Sequence, residues 1–264
     1  MQSKSIPSGL QSVLILFSNL LGSSLYVINE TEKNPKLQDK IRIVGAVTDN
    51  LRASGIKTLE MKNICYRALD KELFLKKKGS KDDSATIEYI SKLKDLTSDF
   101  KPTILLLDNF SIDGATVGNV YDIPIIETMF VALEGTKITT FSGENAVRNA
   151  ILAGKRELRA GSFIYMNKRK HLLAFSKKLP LDLQKLGEIK NSDEFETYVR
   201  LYNEKYIWNC TGPLALKSIE LVAEGKLEYR GEKLYIKEDG TAVQGFYNMI
   251  TECVQGIEGI KNLE

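Results

Sequence analysis

The chain has 264 residues, 43% of them hydrophobic and 27% charged, with 37 basic against 34 acidic side chains. That length can bury a sizeable core in one large domain or two small ones, and so even a charge balance lacks the concentrated basic face of a nucleic-acid binder. Cys65, Cys210 and Cys253 stand far apart without a CxxC pair, so neither a metal site nor a disulfide framework is indicated, and a reducing cytoplasm is the expected setting.

From the N-terminus, residues 12–18, SVLILFS, form a short continuous apolar run. That pattern suits a central strand of a parallel sheet, covered on both faces. The apolar stretch continues past it but is interrupted by Ser18, Asn19, Gly22, Ser23 and Ser24. It does not approach the ~20 residues of a membrane span. It also lacks the basic start and cleavage site of a signal peptide, so no membrane partner is expected. A small-residue turn and a helix from Leu25 to about Lys33 come next. Residues 41–50 read as a second, β-branched strand, and 53–61, ASGIKTLEM, as a short third one. Residues 76–83, KKKGSKDD, read as a solvated loop. Ile87, Ile90, Leu93 and Leu96 share one helical face, and Pro102 ends that helix before the buried strand TILLLDNF.

The second half continues with the strand KITTF, a helix closed by Gly154, and the strands GSFIYM and LLAFSKKLPL. A long helical region follows, with Ser192 as N-cap, Asp193 and Glu194 in its first turn and a break near Gly212-Pro213. The alternation in KLEYRGEKLYI predicts a hairpin around Arg230-Gly231-Glu232. The predicted class is α/β: a doubly wound, mostly parallel sheet with a C-terminal helix and β-hairpin, and a ligand crevice at the strand C-termini.

In this order the segments resemble the folate-dependent formyltransferases, most of all their phosphoribosylglycinamide formyltransferase branch. VLILFSNLLGSSL is similar to that family's opening strand and Gly-Ser-Asn-Leu loop, here Gly22-Ser23-Ser24-Leu25. IVGAVTDN with ASGIKTLEM resembles the second strand and the Ala-x-x-Gly-Ile-Pro-Thr segment, with Lys57 in place of Pro. FKPTILLLDNF resembles the family's YKPDLIVLAGY. ENAVRNAILAGKRELRAGSFIYM resembles the helix and strand after the active-site loop, and PLALKSIELVAEGKLEYRGEKLYI the closing helix and hairpin. The likeness spans most of residues 12–237. It implies one Rossmann-like domain over 1–264: a phosphate- and nucleotide-binding half at 1–110, a folate and active-site half at 111–237, and a C-terminal extension at 238–264.

The resemblance implies formyl transfer from 10-formyltetrahydrofolate to an amine, that of glycinamide ribonucleotide in purine biosynthesis, without a metal. The expected partners are a small-molecule nucleotide and folate, with a homodimer left open. Gly22, Ser23 and Ser24 would hold a substrate phosphate on their backbone N–H groups; the other reading is a plain strand-to-helix turn. Ser111 falls where the family has a folate-side Arg, and Glu204 near a Glu used toward the amine; the other reading of Glu204 is an exposed helix residue.

The family's chemistry rests on an Asn-x-His that polarises the formyl group and an Asp that orients the His. Within residues 119–145 two stretches compete for the first motif. One offers Asn119 with Tyr121, the other Thr139 with Phe141, and neither contains a histidine. After GSFIYM the family has an acidic, Gly-rich loop; this chain has the shorter, basic NKRKH. Its last residue, His171, is the only histidine. It is either a turn residue or a base held near a neutral pKa by its cationic neighbours. Two functions follow: an active formyltransferase, or a chain that kept the fold and lost the chemistry to serve as a ligand-binding or partner protein. A nucleotide-binding α/β protein of another family is disfavoured, because neither GxGxxG nor GxxxxGK[ST] occurs.

Overall fold

The computed structural model describes residues 9–244, apart from 81, 135–136, 144, 167–168, 177, 190–191, 231–232 and 239–240. Beyond residue 244 the expected C-terminal extension lies outside the described residues. The first half runs β1 (Gln11–Phe17), α1 (Ser23–Lys33), α2 (Pro35–Gln38), β2 (Ile41–Thr48), α3 (Gly55–Met61), β3 (Tyr66–Ala68), α4 (Lys71–Lys78), α5 (Asp83–Leu96) and β4 (Ile104–Asp108). Next come α6 (Gly114–Val117), β5 (Ile125–Glu134), β6 (Lys137–Phe141), α7 (Ala146–Leu152), β7 (Glu157–Met166), β8 (Arg169–Phe175) and β9 (Leu179–Pro180). The chain then forms α8 (Leu183–Ile189), α9 (Asp193–Tyr206), a π-helical turn at Ile207–Thr211, α10 (Gly212–Ala223), β10 (Leu227–Arg230), β11 (Lys233–Glu238) and β12 (Thr241–Gln244).

The main sheet runs in the order β3-β2-β1-β4-β5-β7-β8. Its first five strands are mutually parallel, and β7 and β8 extend it antiparallel. The continuous apolar run of β1 has a direct physical reason. Val13, Ile15 and Phe17 enter the core on one face of the sheet, and Leu14 and Leu16 enter the core on the other. Strand β4 divides its residues in the same way. Each such side chain contributes about 1.5–3 kcal/mol by leaving water. Val27 and Ile28 of α1 and Leu214, Ala215 and Val222 of α10 close the first face. Tyr89, Ile90 and Leu93 of α5 close the second.

Three local expectations are corrected. Residues 53–61 are not a strand: Gly55–Met61 is the helix α3, with Gly55 and Leu59 buried four residues apart on one face. The strand at that edge is Tyr66–Ala68 instead. Part of the loop expected at 76–83 is helical. Lys76–Lys78 complete α4, whose end is turned by Gly79 at φ 70°, a left-handed conformation that glycine adopts without steric cost. Ser192 does precede α9, but its hydroxyl donates to the Ile189 carbonyl at 2.8 Å rather than capping the helix. The predicted hairpin is present as β10 and β11, and β12 adds a third antiparallel strand.

Candidate functional site

Strand order reverses between β1 and β4, with β2 and β3 on one side and β5 on the other. In an open α/β sheet the crevice beyond the strand C-termini at such a reversal is the expected ligand site. Two spaces open there, one toward α9 and the π-helical turn, the other toward α4 and α5.

The first space is built around Asp108, the last residue of β4, which is 2% exposed. Its Oδ2 accepts from the backbone N–H of Gly22 at 2.7 Å and of Ser24 at 2.9 Å. The Ser24 hydroxyl donates to the same oxygen, and the Ser23 hydroxyl reaches Oδ1 at 3.2 Å. Thr128 of β5 donates to Ser23 Oγ at 3.0 Å and extends the network across the sheet. Burial pushes the Asp108 carboxyl above its usual range, against the hydrogen bonds that would lower it. Beside this network the remaining cavity is about 20 Å³, walled by Phe130, Phe141, Asn203, Ile207 and Thr211 among others. That is room on the scale of a single water.

The loop Gly22–Ser24 is thus at the crevice, as the sequence implied, but it already carries a carboxylate from its own chain. The resembling family segment has Ala-Gly where this chain has Asp108-Asn109, and Asn109 adopts a positive φ of 52°. A phosphate would have to displace Asp108 to reach the same amides.

The other sequence candidates are dispersed. Asn119 is exposed in the turn after α6, where its backbone N–H bonds Thr116. It precedes β5 and so lies at the end of that strand away from the crevice. Tyr121 is buried in the core on the α5 face. Of the alternative pair, Phe141 lines the 20 Å³ cavity, whereas Thr139 pairs with Ala132 along β5. Within residues 119–145, those that reach this cavity include Thr128, Met129, Phe130, Phe141 and Gly143. None is an Asn or a His. Glu204 stands on the surface of α9, paired with Arg200 at 2.9 Å with more than half of each side chain exposed.

His171 corrects the turn reading. It is the third residue of β8 and not a turn residue, and it pairs with Ile164. Its row across the sheet is Leu106, Ile126, Ile164, His171. That places it three strand spacings from β4, roughly 14 Å, and two residues below the level of Asp108. Burial and Arg169 hold its pKa below the usual value, so it is neutral at pH 7 but remote from the crevice. Met166 pairs with Arg169, and the stretch NKRKH that follows Met166 holds no acidic residue.

The second space, toward α4 and α5, is open and about 550 Å³. Asp49, the residue after β2, is 7% exposed. Its Oδ2 accepts from Ser18, the residue after β1, at 3.1 Å, and from Ser111 in the loop after β4. Lys71 Nζ donates to Ser111 Oγ at 3.0 Å and to the Ser111 carbonyl at 3.3 Å. Ser111 is therefore at the crevice, tied to Lys71 and Asp49. A third acidic group, Glu127 of β5, is buried below α6. It accepts from the Tyr165 hydroxyl at 2.6 Å and from Gly114 N–H at 3.3 Å, and burial raises its pKa. Among the described residues no group of His, Cys, Asp and Glu is arranged to hold a metal, and no helix is long and apolar enough to cross a membrane.

Asp108, Asp49, Lys71 and Thr128 did not stand out in the sequence. The one local signal was position: an acidic residue directly after a buried strand of a parallel sheet falls at the crevice. Both Asp49 and Asp108 carry it.

No protein-family model matches the chain, and the curated proteins give no significant match. Solved structures do match. Phosphoribosylglycinamide formyltransferase from Anaplasma phagocytophilum superposes with a TM-score of 0.59 at 13% identity, over 89% of this chain and 96% of that one. The Coxiella burnetii phosphoribosylglycinamide formyltransferase gives 0.56 at 16%, over 88% and 96%. A formyltetrahydrofolate deformylase from Pseudomonas putida gives 0.57 at 12%, over 88% and 71%. The fold is that of the folate-dependent formyltransferases.

Proposed function

We propose that this chain keeps the formyltransferase scaffold without formyl transfer and works as a ligand-binding or partner protein. The observation that carries this reading is Asp108 lodged on the Gly22 and Ser24 amides. A helix-start loop binds phosphate through such N–H groups, and here a side chain of the same sheet already holds two of them. The space beside Asp108 does not fit 10-formyltetrahydrofolate with its formyl group, since about 20 Å³ remains there. Among the described residues, the polar groups that reach that space are Ser, Thr, Asp and Asn side chains. The sole histidine is elsewhere, so no imidazole stands there to carry the amine's proton.

Loss of one oxyanion donor costs about 10²–10³-fold in rate, and loss of a positioned acid–base group about 10²–10⁴-fold. The two do not simply multiply, because such groups act as a unit. The expected result with purified protein, 10-formyltetrahydrofolate and glycinamide ribonucleotide is absent formylation, or formylation several orders of magnitude slower than an ordinary formyltransferase. Turnover at a rate ordinary for formyltransferases would defeat this reading and restore active formyl transfer.

A further inference from the structure

The 550 Å³ cavity toward α4 and α5 has the size of a small-molecule site and lies where the loops after β1, β2, β3 and β4 converge. Its lining is polar and heterogeneous: Ser18, Asp49, Asn50, Lys71, Glu72 and Ser111. Asp49 gives it direction. In a parallel βαβ unit the residue after the second strand stands beside the loop of the first. In dinucleotide-binding units of this architecture a carboxylate near that place hydrogen-bonds a ribose hydroxyl. Here the topology produces that neighbourhood, and Asp49 is joined to Ser18 across it at 3.1 Å. The described donors, Ser18 and Ser111, both fall on Oδ2, so Oδ1 is available to a ligand's hydroxyls. Lys71 fixes Ser111 and through it the carboxylate.

Charge narrows the ligand. Among the described residues, Asp49, Asp70 and Glu72 line the cavity against one ammonium, that of Lys71, so their summed formal charge is negative and a phosphate is disfavoured there. The neighbouring amides that could take a phosphate are held by Asp108. An apolar wall is present in Leu75, which is 6% exposed. We infer that this cavity binds an uncharged ribosyl compound of the nucleoside class, with Asp49 accepting its 2′- and 3′-hydroxyls. The inference does not use the residues on which the loss of formyl transfer rests, and either can fail without the other.

The test is calorimetric titration of the full chain with adenosine, guanosine, cytidine and uridine at concentrations up to millimolar. At least one should bind, and its 2′-deoxy counterpart should bind at least about tenfold more weakly, a difference of about 1.4 kcal/mol. Asp49→Asn should weaken the ribonucleoside by a similar factor while its thermal melt stays cooperative. The 2′-deoxy comparison needs no variant, so it decides even if Asp49→Asn does not fold. The inference is overturned if no ribonucleoside binds, if the 2′-deoxy compound binds equally well, or if Asp49→Asn binds as the parent does. Binding of spermidine with no ribonucleoside would overturn it too, by showing a site for amines.

Discussion

Asp108 shows how one side chain can close a binding loop. Its oxygens replace the anion that Gly22–Ser24 would otherwise receive, so removing them should expose the latent site. Asp108→Ala is expected to bind sulfate or inorganic phosphate measurably more tightly than the parent, read by chemical-shift changes at the Gly22 and Ser24 amides. Unchanged amide shifts in the variant would show that the loop is not an anion site even when vacated. The same residue predicts a pH dependence. Burial raises the pKa of Asp108 and of Glu127 above their unfolded values of about 3.9 and about 4.3. The folded state then holds these protons more tightly than the unfolded one. The associated stability is complete below the unfolded pKa and is lost as pH climbs through the folded pKa. These two carboxyls therefore pull the melting temperature down as pH rises above about 4, against the opposite pull of Glu224, whose pKa is lowered, and Asp108→Asn should remove part of the downward pull. A third residue-scale expectation concerns Tyr165. Tyr165→Phe removes the hydroxyl at 2.6 Å from Glu127 and should cost about 1–3 kcal/mol in urea unfolding, because the buried carboxyl loses a partner. Sequence reasoning found Gly22–Ser24 because a small-residue turn after an apolar strand is a local pattern. It could not find the partner, because Asp108 lies more than eighty positions away and meets the loop only through strand pairing.

Among the elements, periodicity was most readable where burial is two-sided or one-faced over a long stretch. Strand β1 stands where its apolar run put it; helix α5 is present too, but of its four spaced residues only Ile90 and Leu93 are buried, while Ile87 and Leu96 are exposed. Short elements were less readable. In Gly55–Met61 the seven residues hold two buried positions, too few for spacing to separate helix from strand. The histidine of β8 was misjudged for a different reason. A run of three basic residues suggests a turn, yet Lys170 lies in the strand over the ring of Phe163 at 4.2 Å, its stem covering apolar surface as long cationic side chains do. The break near Gly212-Pro213 was legible, but its form was not: a π-helical turn at Ile207–Thr211 joins α9 to α10 and carries Ile207 and Thr211 into the crevice wall. Gly212 lets α10 approach α1 closely. A Cβ there would lie 2.6 Å from both Cβ and Cγ of Tyr26, atoms too near the backbone to swing aside. Gly212→Ala should destabilise the protein by about 1–3 kcal/mol, seen as a lower urea midpoint with an unchanged slope.

The whole molecule joins a parallel block to an antiparallel extension. The order of its strands makes the formyltransferase likeness visible in three dimensions where identity is 13–16% in the formyltransferases compared. Covering of β1 also has a consequence for synthesis. Strand β1 is made first but sits between β2 and β4, and Ser12 meets its β4-side partner Thr103 across 91 positions. At ribosomal speeds of about 5–20 residues per second, one edge of this strand waits roughly 5–20 s for its partner. The segment left waiting is β-branched, apolar and uncharged, the composition from which intermolecular cross-β pairing starts. Solubility in the cell therefore depends on events during translation. Slower growth alone gives no relief, since it lengthens the exposure; a chaperone that shields nascent β1 until residue 108 has emerged would.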